Sequence, residues 1–179
     1  MEAMENIYTR RSVRAYADRP VTRKTLDRVL SAALMAPSWK NTQTAGYLVI
    51  QTPEMKEKLM ECLPAYNART VSTAPVVVVM TTRKSRCGYE RDGSYSTKKG
   101  DRWEMFDAGI AAMTFSLAAY DKGVGSCIMG VFDDAKVAET IGLEAGKTVA
   151  ALIPIGFPKF TPDATPRKET AELITYMDK

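Results

Sequence analysis

Three arginines and a serine near the start of the chain have the spacing of an anion-binding site. The stretch RRSVRAY covers residues 10–16 and carries Arg10, Arg11, Ser12 and Arg14. Guanidinium groups present planar pairs of N–H donors that match the oxygens of a phosphate or carboxylate. On composition alone, a solvated basic surface is the simpler interpretation of these arginines. The net charge of the chain is only +4, so an anion site here must be local.

Histidine is absent from all 179 residues, and this absence limits the chemistry further. It excludes serine–histidine and cysteine–histidine nucleophile pairs, histidine general bases and the commonest zinc ligand. Cys62, Cys87 and Cys127 have no CxxC spacing, and we expect ordinary packing for Cys62 and Cys127. We therefore predict no metal site and no catalytic cysteine.

Charge and hydropathy also indicate where the protein acts. No N-terminal apolar run resembles a signal peptide or a membrane span, and the cysteines suit a reduced compartment, so we expect a cytoplasmic protein without membrane contact. The mild charge balance does not favour nucleic acid. A nucleic-acid module stays a distant alternative, because the basic stretch 83–102 carries Tyr89 and Tyr95, which are able to stack on bases.

Hydrophobic patterns predict a single α+β domain over residues 1–179. The length and a hydrophobic content of 45% suit one core. Thr22 is placed as the N-cap of an amphipathic helix that stops before Pro37, and Asp133 as the N-cap of a helix ending near Gly142. Further helices are predicted at 53–63 and 103–122. Strands are predicted at 46–51, 75–82 and 148–158, with a short strand or extended loop at 126–132.

Two segments do not follow a core-forming pattern. Residues 83–102 are polar and predict a flexible surface excursion, which either function or disorder would explain. The tail at 159–179 cannot bury much of itself alone. By contrast, the 103–122 helix is apolar on nearly every side and must be surrounded, which favours packing against a second subunit.

Four groups of motifs, taken together, resemble the nitroreductase family of FMN-dependent NAD(P)H oxidoreductases. They are RRSVR, then APSWKNTQ at 36–43, then GVGSCIMGVF at 123–132, and finally IPIGFP followed by TPRK. Their order, spacing and total length agree with the family over nearly the whole chain. The resemblance implies a nitroreductase-like fold, with a central mixed β-sheet flanked by helices, in an intertwined homodimer.

The resemblance also implies a cofactor and its ligands. In the family, the arginine motif holds the FMN phosphate and the ribityl or pyrimidine edge. The PSxxNxQ loop reaches the flavin from the partner subunit, and the GVGSC-like segment runs along the ring. Carried over by motif, the cofactor-binding residues are Arg10, Arg11, Ser12, Arg14, Pro37, Ser38, Trp39, Asn41, Gln43, Met129, Gly130, Val131 and Arg167. From the residues alone, 37–43 also suit a loop that stops a helix, and Gly130 a turn at a strand end.

The implied activity is hydride transfer from NADH or NADPH through FMN to a small-molecule electron acceptor, such as a nitroaromatic or quinone, by alternating half-reactions. The chemistry takes place on FMN, so no catalytic side chain is expected. Two alternatives to this activity stay open. One is a flavin-binding or sensing module, and the other is a specialised relative that dehalogenates its substrate or cleaves flavin.

The chain departs from the family pattern in one place. The family often continues with Pro-Trp after the glutamine of this loop, whereas here Thr44 follows Gln43 and the tryptophan is Trp39. Trp39 either stacks on ligand in the cleft or anchors the loop in the dimer interface. Asn67 corresponds only loosely to a family asparagine near the flavin. For Asp107 we expect a packing or interface hydrogen bond rather than catalysis.

Overall fold

The computed structural model describes residues 1–177, which form helices on both faces of one β-sheet. The helices are α1 (Ala3–Thr9), α2 (Arg23–Ala33), α3 (Pro53–Met60), α4 (Ala65–Thr73), α5 (Arg102–Asp121), α6 (Asp134–Thr140) and α7 (Thr170–Leu173). The strands are β1 (Ala45–Ile50), β2 (Val76–Arg83), β3 (Gly125–Ser126) and β4 (Lys147–Gly156). A short 3₁₀ turn lies at Trp39–Asn41.

The sheet has the strand order β1-β2-β4-β3, and each neighbouring pair runs antiparallel. The resemblance implied a mixed sheet, and in the described chain parallel pairing is limited to an isolated bridge between Ser12 and Ser126. The short helices α3 and α4 return the chain to the end of the sheet where β1 stopped, so β2 runs back along it. The α+β, nitroreductase-like fold is otherwise as expected.

The strand β2 is the centre of the core because both of its faces are covered. Val76, Val78 and Met80 belong to one buried cluster, and Val77 and Val79 to another, as the alternation of side chains along a strand requires. Helices α2 and α5 cover the first face, while α3, α4 and α6 lie over the second. The sheet is thus the middle layer of three.

The predicted helix starts at Thr22 and Asp133 are confirmed. The Thr22 hydroxyl accepts a hydrogen bond from the Thr25 amide at 3.2 Å, and the Asp133 carboxylate accepts one from the Lys136 amide at 3.0 Å. Both bonds satisfy amides that the first helical turn leaves without partners. The long helix α5 lies within one residue of the predicted bounds.

The stretch 126–132 is a short strand end followed by extended loop, as predicted: Ser126 belongs to β3, and Met129 forms an isolated bridge with Leu152. The helices α1 and α4 were not predicted, and α3 ends at Met60 rather than Leu63.

The excursion after β2 was predicted to be a flexible surface segment without a core-forming pattern, and most of its residues are exposed. Gly88 and Gly100 are buried against one another, since a Cβ on Gly88 would collide with the Gly100 carbonyl oxygen. The rings of Tyr89 and Tyr95 lie 4.9 Å apart. Residues 84–101 therefore fold into turns that pack on themselves.

Several apolar side chains lie on the surface of the single chain. The outer face of α5 exposes Met105 and Phe106, the latter at 58%. Other exposed apolar side chains belong to α1 and to the tail: Met4, Ile7, Tyr8, Phe160, Leu173, Ile174, Tyr176 and Met177. Within residues 1–177, no helix has both the length and the hydropathy to cross a membrane.

Candidate functional site

The arginine motif lies as an extended segment beside the edge strand β3. The Val13 amide donates to the Ser126 carbonyl oxygen at 2.9 Å, and the Ala17 amide to the Phe157 carbonyl oxygen at 2.8 Å. The Lys159 amide in turn donates to the Ala15 carbonyl oxygen at 3.0 Å. This pairing holds the motif next to the chain that leaves β4, which brings the start of the protein beside its tail.

A cavity of about 230 Å³, which we call the arginine pocket, forms where these segments meet. The predicted residues Arg10, Arg11, Ser12 and Arg14 line it together with Arg167, more than 150 positions away in sequence. Its other lining residues are Pro162, Asp163 and Thr165. The structure therefore brings together all five residues that the two motifs assigned to the phosphate and to the ribityl or pyrimidine edge.

The guanidinium groups of the arginine pocket lack strong partners of their own. Arg11 donates to the carbonyl oxygens of Tyr8 and Arg10, both at 2.8 Å, and Arg167 donates to the Thr165 hydroxyl at 2.8 Å. The Nε of Arg10 is buried without a hydrogen-bond partner. Among residues 1–177, no carboxylate forms an ion pair with these arginines. An anion with several oxygens would supply the missing acceptors.

A second cavity, of about 250 Å³, adjoins the arginine pocket at Arg14, which lines both. We call it the Met129 groove. Its walls are Tyr66, Asn67, Thr70 and residues 127–131, so it contains all three predicted residues of that segment, Met129, Gly130 and Val131. A Cβ added to Gly130 would meet no atom within 4 Å, so the groove is open above this backbone.

Asn67 is a residue that sequence reasoning left outside the main set. Its side-chain amide donates to the Val131 carbonyl oxygen at 2.9 Å, which ties α4 to the floor of the groove. Tyr66 and Thr70, on the same helix, carried no sequence signal because α4 itself was not predicted. Recognition of that helix would have placed the three residues together.

The groups beneath the groove are uncharged at neutral pH. Burial raises the pKa of the Cys127 thiol, although the nearby Arg14 charge partly opposes this effect. Burial also raises the pKa of Tyr16, whose hydroxyl lies 2.7 Å from the Val13 carbonyl oxygen. These groups support the backbone and provide no thiolate or phenolate for catalysis. The described residues contain no cluster of acidic or thiol groups suited to a metal ion.

Residues 36–43, the site loop, lie elsewhere on the same chain. Pro37, Ser38 and Gln43 line a smaller cavity of about 120 Å³ beside Tyr47 and Asp107. None of the site-loop residues lines the arginine pocket or the Met129 groove. One described chain therefore holds two parts of the predicted site without joining them.

Trp39 packs against its own chain. Its ring centroid lies 4.6 Å from that of Trp103, at the start of α5, and Lys40 forms an ion pair with Glu90 at 2.7 Å. The Trp39 side chain is half-buried, and Asn41 is exposed. The contact with Trp103 was in neither of the two roles considered from the sequence.

Asp107 acts as expected for a packing residue. One oxygen of its buried carboxylate accepts hydrogen bonds from the Trp39 amide at 2.7 Å and from the Cys87 thiol at 2.9 Å. It thereby joins α5 to both the site loop and the excursion.

Comparison with known proteins assigns the family. The model of the nitroreductase family matches residues 7–68 and 60–157, so the chain belongs to the nitroreductase family. The NADH dehydrogenase of Thermus thermophilus is 29% identical over 181 residues, covering 88% of this chain and 87% of that protein.

Two further similarities involve FMN, one through the name of the protein and one through a bound ligand. A Bacillus subtilis protein named FMN reductase (NAD(P)H) is 28% identical over 136 residues, covering 72% of this chain and 54% of that protein. A crystal structure of a Desulfovibrio desulfuricans protein in complex with FMN has 26% sequence identity and a TM-score of 0.81. The match covers 97% of this chain and 95% of that one.

Proposed function

We propose that this protein is an FMN-dependent oxidoreductase that uses NADH or NADPH as its electron donor. The observation that carries the proposal is the continuity of the arginine pocket with the Met129 groove through Arg14. One cavity suits a phosphate, and the other has the open backbone that a flat ring needs. The oxidoreductase names of the relatives support the same conclusion.

The residues of the arginine pocket fit the phosphate end of FMN. The buried Nε of Arg10 lacks an acceptor, and Ser12 adds a hydroxyl donor to the guanidinium groups. A phosphate dianion would satisfy these donors and balance their positive charge. Asp163 also lines the pocket and would oppose the anion, so the arginines must outweigh it.

The Met129 groove fits the ring end. Gly130 leaves space for a ring to approach the backbone, and Asn67 holds the segment in place through Val131. In this arrangement Met129, Gly130 and Val131 orient the ring through their backbone, and the buried Cys127 excludes water from below. In this arrangement no side chain acts as an acid or a base.

The site loop would complete the cavity from a second copy of the chain. Asn41 and Gln43 carry both donors and acceptors, which suit the polar edge of a flavin. Their separation from the groove of their own chain supports delivery by a partner. The exposed apolar faces of α1, α5 and the tail supply surface for such a homodimer.

When bound, FMN supplies the redox chemistry, taking hydride from NAD(P)H and passing reducing equivalents to a nitroaromatic, quinone or similar conjugated acceptor. Donor and acceptor occupy the same open groove in turn, which gives ping-pong kinetics. The protein binds the cofactor, orients its ring and admits the two substrates to it.

The test is a flavin assay on the purified protein. A yellow protein whose bound FMN bleaches rapidly and anaerobically with NADH or NADPH, and regains colour with a quinone, supports the proposal. Comparison of the two nicotinamides names the donor. Bound FMN that neither nicotinamide reduces would instead indicate a binding or sensing module, and a protein that binds no FMN would overturn the proposal.

A further inference from the structure

The site loop is held in place by groups that lie outside its own motif. The Trp39 amide donates to Asp107 on α5, the Trp39 ring packs against Trp103 at an interplanar angle of 44°, and Lys40 pairs with Glu90 in the excursion. Within the loop, the backbone amide of Gln43 donates to the Ser38 hydroxyl at 2.9 Å. The loop thus has anchors at α5 and in the 84–101 segment.

The backbone of the site loop requires such anchors. Lys40, Asn41 and Gln43 have φ angles of 44°, 55° and 50°, the left-handed region that residues with a side chain rarely occupy. Three such residues within four positions are unfavourable unless surrounding contacts enforce them. Asn41 and Gln43 are also the two amide side chains assigned to the cofactor.

The hydrogen bonds at Asp107 are buried, and each has a defined donor. Asp107 is 5% exposed and Cys87 is fully buried. Burial is the larger cause and the hydrogen bond to Asp107 the second, and together they raise the pKa of Cys87 to about 12. The thiol therefore stays protonated and donates a hydrogen bond to the Asp107 carboxylate. One carboxylate oxygen therefore accepts from two donors on two different segments.

We propose that Asp107 is a positioning residue for the cofactor, fixing the site loop in the left-handed conformation that presents Asn41 and Gln43. The excursion braces the same loop directly through the Lys40–Glu90 ion pair and indirectly through Cys87, which donates to Asp107. This inference rests on the proposed function, in which the loop contacts the flavin. It gives the 84–101 segment a role that its sequence did not reveal.

The two tryptophans of the chain provide a spectroscopic probe of the site-loop conformation. Trp39 and Trp103 are these two tryptophans, so an exciton couplet in the circular dichroism of the FMN-free protein reports the close contact of their rings. Asp107→Ala is expected to remove the couplet and to weaken FMN binding about tenfold or more. Asp107→Asn keeps an oxygen that accepts from the Trp39 amide. This variant should retain the couplet and bind FMN within about threefold of the wild-type affinity.

Cys87→Ala is the matched control, because it alters the same buried junction but leaves the Trp39 bond intact. It should retain the couplet and the FMN affinity. If Asp107→Ala does not fold, the double variant Asp107→Val/Cys87→Ala replaces it, since no buried thiol is then left without an acceptor. That variant should also lose the couplet and bind FMN weakly.

Three results would overturn the inference. The first is a couplet and an FMN affinity that survive in Asp107→Ala or in the double variant. The second is a Cys87→Ala defect as large as that of Asp107→Ala. The third is an Asp107→Asn protein that lacks the wild-type couplet or the wild-type FMN affinity. A wild-type protein that does not bind FMN overturns the proposed function and the cofactor part of this inference. The couplet still decides, in that case, whether Asp107 holds the loop.

Discussion

Gly125→Ala tests whether the arginine motif depends on close packing against β3. A Cβ on Gly125 would lie 2.7 Å from the Cβ of Val13 and would also collide with Val13 Cγ2. The Val13 Cβ is fixed to the backbone, so a rotamer change cannot relieve the clash. The backbone between Ser12 and Arg14 must therefore move away from Ser126.

The expected cost follows from overpacking of a buried residue, since Val13 is 2% exposed. We expect Gly125→Ala to lower the free energy of unfolding by ~1–3 kcal/mol. For a chain of this length that corresponds to a melting temperature lower by roughly 2–12 °C. FMN binding should weaken as well, because Ser12 and Arg14 line the arginine pocket.

Gly130→Ala is the matched control for stability. No atom lies within 4 Å of the added methyl group, so the unfolding free energy should change by less than ~0.5 kcal/mol. Its FMN affinity should nevertheless fall if the ring lies on that backbone. Thermal unfolding followed by circular dichroism, beside FMN titration, measures both effects. A Gly125→Ala protein as stable as wild type, with unchanged FMN affinity, would refute the packing argument.

Three further predictions use the same protein. Arg14→Ala or Arg167→Ala should weaken FMN by ~1.5–3 kcal/mol in fluorescence titration, with lysine rescuing only in part, and unchanged affinity would contradict the phosphate assignment. Sedimentation at micromolar concentration should give a dimer that Phe106→Glu dissociates, whereas a wild-type monomer that binds FMN would exclude a shared site. The three buried thiols should react slowly with Ellman's reagent at neutral pH and fully in denaturant, because burial opposes thiolate formation at Cys87 and Cys127. Rapid native labelling of Cys87 would contradict its contact with Asp107.

The elements that the sequence predicted well have local signals. The Thr22 and Asp133 caps bond to amides three residues ahead, and β2 is a run of β-branched residues. The missed helix α4 has no comparable signal. Its Asn, Thr and Val residues are weak helix formers, and it is stabilised by burial of Thr70 and Val71.

The candidate site was predictable in composition but not in arrangement. The motifs indicated Arg10 and Arg167, but only the backbone pairing of the arginine motif with β3 and with the chain that leaves β4 brings them into one pocket. The contacts of the excursion were not predicted because its partners are distant in sequence. Lys40 and Glu90 are 50 positions apart, and no local pattern reports such a contact.

The most direct test of the central claim is the affinity of the FMN-free protein for FMN compared with riboflavin, which lacks the phosphate. If the arginine pocket holds that phosphate, FMN should bind at least ~10-fold more tightly, because even one charge-assisted hydrogen bond contributes ~1.5–3 kcal/mol. In Arg10→Ala/Arg167→Ala most of this difference should disappear, while riboflavin affinity stays nearly constant. Equal binding of FMN and riboflavin by the wild-type protein would contradict the account.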